Sequence, residues 1–140
     1  MEATQHRRFG TVPIDPPDDP AVAAVVIAPR DGFADPPGVA VREDVLAAVG
    51  GPEPVRAGAL ADLVARVEEA GHAVETRETA VPLRRATPHA LLREGSARLW
   101  LFRRHPDRHP LPGPRALSWR LPLLALGALQ ANGTPTKAER

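Results

Sequence analysis

The chain has 140 residues, a net charge of +1 and no cysteine. That length suits one domain around one buried core, and the lack of thiols excludes disulfides and thiolate-bound metals. The N-terminus, MEATQHRRFG, lacks the apolar run of a secretory signal. The longest apolar stretch, residues 121–131, is about half of what a bilayer crossing needs. These features predict a soluble, cytoplasmic protein with no membrane partner. All cations but Lys137 are arginine, and alanine is abundant, as in a GC-rich bacterial genome.

In chain order, residues 1–20 hold Pro13, Pro16, Pro17 and Pro20 among Asp15, Asp18 and Asp19. They predict a flexible or extended arm, not a helix. AVAAVVIA at 21–28 is short, apolar and β-branched, which predicts a strand buried on both faces. PRDGFADPPG follows as a loop. VREDVLAAV at 41–49 predicts a short helix stopped by Gly50 and Gly51.

Residues 57–70 carry the clearest helical pattern. Leu60, Leu63, Val64 and Val67 make one apolar stripe, with Asp62 and Arg66 placed to pair on the other side. Gly71 is placed to end it. HAVETRETAV predicts a strand at a sheet edge.

Thr87 and Pro88 mark the start of a short helix over 87–94, closed by Gly95. SARLWLFR at 96–103 alternates Leu99 and Leu101 against Trp100 and Phe102, which predicts a central strand. HPDRHPLPGP predicts an irregular loop. Ser118, Pro122 and Asn132–Gly133 bracket a last helix near 121–131. The predicted order is β-α-α-β-α-β-α, a small layered α/β domain over 21–132 with a flexible tail at 133–140.

Charge is divided along the chain. Residues 1–78 hold seven arginines against fourteen acids, whereas 79–120 hold nine arginines against Glu94 and Asp107. Such a split predicts a partner of opposite sign. Two halves that cancel on folding, or a head-to-tail homodimer, would absorb it instead.

Several motifs bear on chemistry. His105 and His109 are four apart with Asp107 between them, but the flanking prolines remove the helical geometry that would aim both imidazoles at one metal. No metal is assigned. HPDRHP at 105–110, after Arg103 and Arg104, resembles the HPD loop of J-domains, which engage Hsp70 chaperones. The resemblance covers six residues and implies a helix on either side of the tripeptide. Residues 41–78 resemble a winged helix, and equally the helix-to-strand turn of Rossmann-like folds. An acidic exposed face on helix 57–70 has the wrong sign for DNA. Neither GxGxxG nor GxxxxGK[ST] occurs, so the cofactor stays unknown.

The contact candidates are Arg84, Arg85, Arg103, Arg104, Arg108 and Arg115, because arginine forks bind carboxylate or phosphate in a bidentate way. They predict a non-catalytic binding or accessory module. An Arg-rich loop at 103–115 would hold an acidic peptide, an acidic protein or a phosphorylated ligand. A small bacterial enzyme acting on an anionic molecule, with His105 or His109 as acid or base, is the alternative. Nucleic-acid binding is a third and predicts steep salt dependence.

Overall fold

Val22–Ile27 forms the strand on which the rest is assembled, because almost every residue in it is buried. We describe the chain from a computed structural model that covers residues 5–54, 56–110, 125–127 and 129. Chain order is β1 (His6–Gly10), β2 (Val22–Ile27), β3 (Gly38–Arg42), α1 (Glu43–Val49), α2 (Ala59–Glu69), β4 (Ala73–Arg77) and α3 (Pro88–Arg104). Contacts divide it into two units, Met1–Leu83 and Arg84–Arg140.

The first unit holds a four-stranded sheet in the order β1-β3-β2-β4. β3 runs antiparallel to both β1 and β2, while β2 and β4 are parallel. Helices α1 and α2 cover one face. There Ala24, Val26, Val39 and Val41 meet Val45, Leu46, Leu63 and Val67. On the other face, Ile14 closes over Val25, Ile27 and Ala40, with Val12 and Val81 beside them. A sheet buried on both sides explains why β2 lacks polar alternation.

The fold class is therefore the expected layered α/β domain, with a different element order. Two strands were hidden. The N-terminal arm is extended, and residues 6–10 within it pair with β3 as an edge strand. β3 itself falls partly in the predicted loop and partly in the predicted helix at 41–49. The chain passes from strand to helix at Arg42 without a side-chain cap, so no Ser, Thr, Asp or Asn marks the boundary. Arg42 instead donates from Nε to Asp44 at 2.6 Å and from Nη1 to the Pro20 carbonyl at 2.9 Å. The hydrogen bond from Arg42 holds the Asp44 carboxyl below its ordinary value.

Helix α2 buries its predicted stripe, with Leu63 and Val67 wholly inside. The Asp62–Arg66 pair forms at 3.0 Å, but Asp62 is fully buried and not exposed as expected. Arg66 also reaches the carbonyls of Val49, Gly50 and Gly51, at 2.6, 3.1 and 2.7 Å. One guanidinium thus ties the α1–α2 connection to α2. Gly71, at φ +90°, ends the helix in the left-handed region. The chain then re-enters the sheet as β4 at its edge, parallel to β2.

At its start α2 has Gly58, which offers no side chain to cap it. Asp35 supplies the cap from a distant loop. Its carboxylate accepts from the backbone N–H of Gly58 at 2.7 Å and of Ala61 at 3.1 Å. Two orphan donors and the positive helix end are answered at once. Asp35→Ala is expected to cost about 1–2 kcal/mol in urea denaturation, and Asp35→Asn less. An Asn variant as damaging as Ala would mean that geometry, not the acceptor, matters.

The second unit contains α3. Thr87 caps it as expected, its Oγ1 accepting from Ala90 N–H at 3.1 Å, and Pro88 takes the first turn. Gly95 does not stop it, however. The helix continues through 96–103, and the predicted central strand there does not exist. Leu91, Glu94, Ala97 and Leu101 are buried at helical spacing, with His105 continuing the same row. Glu94 and Arg98 pair at 3.0 Å across the glycine. A glycine costs a helix interior about 1 kcal/mol, less than a buried face, a cap and an ion pair return. Residues 125–127 and 129 are also helical. The rest of the expected last helix, and the tail at 133–140, lie outside the described residues.

Candidate functional site

The last turn of α3 and the turn after it carry most of the residues singled out by sequence. Arg103 and Arg104 are exposed in that last turn. They belong to a helix, not to the expected loop. Arginines here also answer the negative end of the helix dipole. The Arg104 guanidinium lies 5.0 Å from the centre of the Trp100 ring, within cation–π range. Arg108 is exposed in the following turn beside exposed Asp107. Arg115 falls outside the described residues.

His105 is the hinge of this turn. Its N–H donates to the Leu101 carbonyl at 2.7 Å, and its own carbonyl accepts from Arg108 N–H at 3.1 Å and His109 N–H at 2.8 Å. Its side chain is buried. The imidazole of His109 meets it edge to face, with ring centres 6.4 Å apart. The HPD tripeptide therefore follows a helix, as the J-domain resemblance implies. The segment that would hold the second helix, from residue 111 on, is not among the described residues. Among those that are, no three His, Asp or Glu side chains group as metal ligands.

Arg84 and Arg85 are exposed just before α3 begins. The helix separates them from Arg103 and Arg104, since its seventeen residues span about 25 Å. The structure thus yields two cationic ends, not one cluster. Sequence reasoning missed Arg93, which is exposed between them. Treating 87–94 as a separate short helix hid its alignment with Trp100 and Arg104, although the spacing of seven and then four was available.

Burial sorts the charges on α3. Glu94 is its one acid, and it is buried against Arg98. The exposed ionisable positions are His89, Arg93, Arg103 and Arg104. In the first unit several arginines brace neighbours. Arg7 pairs with Glu43, Arg77 with Glu75, and Arg8 donates to the Ile14 carbonyl.

No family model and no curated protein sequence matches the chain. Among solved structures it is similar to a mannosyltransferase from Pyrobaculum calidifontis, determined with GDP-mannose and Mn2+. The identity is 17% and the TM-score 0.48, over 87% of this chain and 45% of that one. This chain thus spans less than half the length of that neighbour, and the sugar nucleotide and metal are that protein's.

Proposed function

We propose that this protein is a non-catalytic binding module that holds an anionic partner through the exposed arginines of α3 and the turn after it. Arg103, Arg104 and Arg108 make the principal contacts, with Arg93 extending them along the helix. The observation carrying this reading is the burial of Glu94 against Arg98. It leaves the helix with no exposed acid, and with Arg93, Arg103 and Arg104 as its exposed arginines. Arginine forks on one rigid element suit carboxylate and phosphate groups. The chemistry fits an acidic peptide, an acidic protein surface or a phosphorylated ligand.

The test is fluorescence anisotropy with labelled polyglutamate and with inorganic polyphosphate. Arg104→Glu combined with Arg108→Glu is expected to weaken binding roughly tenfold or more, a change of about 1.4 kcal/mol. Arg30→Glu with Arg56→Glu alters the net charge equally and is expected to matter far less. Arg42 is a poor control because it braces Asp44 and Pro20. Equal weakening by the two pairs, or no binding of either anion, would overturn the proposal.

A further inference from the structure

We infer that the outer edge of β4 pairs with β4 of a second copy of this chain, antiparallel about a two-fold axis at Thr76, so that two four-stranded sheets join into one. The inference is independent of the arginines on α3. β4 is an end strand of the sheet, and its principal neighbours are β2 and α2. No residue from Ala73 to Arg77 is fully buried. An end strand offers a row of N–H and C=O groups to any chain that can match it.

The pairing within the sheet fixes which groups face outwards. The Arg77 carbonyl accepts from Ala28 N–H at 2.9 Å, which turns the backbone polar groups of Arg77 towards β2. Successive residues of a strand turn theirs to opposite sides. Those of Val74 and Thr76 therefore point to the outer edge. With the axis at Thr76, the two copies of that residue exchange both N–H···O bonds, the hydrogen-bonded pair of an antiparallel ladder. Glu75 then stands opposite the partner's Arg77 in the closer, non-hydrogen-bonded pair. The two-fold axis repeats that contact with the roles reversed.

Charge selects this register. Glu75 and Arg77 share a face of the strand and pair within the chain at 2.7 Å, their side chains 42% and 31% exposed. The Asp15 carbonyl holds Arg77 from Nη1 at 2.8 Å. In the dimer four charges of alternating sign ring the axis. Opposite charges facing each other across two strands stabilise the pair, and like charges destabilise it. An axis at Glu75 or at Arg77 would set that residue against its own copy, and one at Val74 would match no charges. The other end strand is guarded instead. β1 exposes Arg7 and Arg8 in succession, so an axis at either, or between them, opposes cation to cation. Charges placed in this way keep an edge from recruiting another chain.

The test is sedimentation equilibrium of the full chain from micromolar to millimolar concentration. The expected result is a reversible monomer–dimer equilibrium. Glu75→Arg alone and Arg77→Glu alone each oppose like charges twice in the dimer. Each is expected to weaken association roughly tenfold or more. An equimolar mixture of the two variants sets arginines against glutamates at both contacts and is expected to restore it. So is the chain carrying both changes, which keeps the internal pair and decides the register even where a single change unfolds the protein. Thr76→Cys adds the only cysteine to the sequence. It is expected to cross-link two chains on mild oxidation, because residues facing each other in a hydrogen-bonded pair have Cα atoms about 5.5 Å apart. A chain that stays monomeric throughout would overturn the inference. So would a dimer indifferent to both single changes, or a mixture that fails to associate.

Discussion

Replacing Arg66 with Ala is expected to cost the protein about 3–5 kcal/mol of stability, measured by urea or thermal unfolding. Asp62 is fully buried, and Arg66 supplies the cation at 3.0 Å. Removing the arginine leaves a buried carboxylate without that cation. It also strips hydrogen bonds from the carbonyls of Val49, Gly50 and Gly51. The reverse change is gentler. Arg66 keeps a fifth of its side chain exposed, so in Asp62→Ala it retains water and its carbonyl partners. Asp62→Leu with Arg66→Met removes both charges together and is expected to recover much of the loss. A double variant as unstable as Arg66→Ala would place the cost in the carbonyl hydrogen bonds and not in the charge pair.

Leu101→Ala is expected to cost about 2–5 kcal/mol, the range for a buried leucine. Leu99→Ala should cost well under half of that. Leu101 is wholly buried, whereas Leu99 is only partly buried. The comparison reads the period of the segment directly. On an alternating strand the two leucines share a face and would cost alike. On a helix they lie about 200° apart. Equal losses in thermal unfolding would contradict a helix through residues 96–104.

These two sites also show how much of the fold the amino-acid pattern carried. α2 was legible because Leu60, Leu63, Val64 and Val67 repeat over two turns and Gly71 ends them. β2 was legible because a strand buried on both faces is apolar throughout. β1 was not, since HRRFG has no apolar alternation. It is a strand because β3 offers it hydrogen bonds and Phe9 reaches the core under the helices. That is tertiary information. α3 was half legible. Its cap is local chemistry and could be read, but a glycine inside a helix looks the same as one that ends it. What decides is the row of buried residues on both sides of Gly95, and burial is not written in spacing alone.

The candidate site divides in the same way. The arginines were visible as a charge excess. Which of them face water depends on the helix, and so Arg93 went unnoticed while Asp62 was misplaced on the surface. Asp35 gave no signal at all, because its partners are the backbone amides of a helix start more than twenty positions away.

The pairing of β2 sets an order of assembly on a chain that emerges from its N-terminus. Val25 faces Ala40 fifteen positions on and Glu75 fifty positions on. The antiparallel side can close once Arg42 has emerged from the ribosome. The parallel side must wait for both α1 and α2 and for β4 after them. Until then β2 shows a bare, strongly apolar edge, the kind that recruits other chains. Residues 79–120, with nine of the chain's arginines, emerge only after β4.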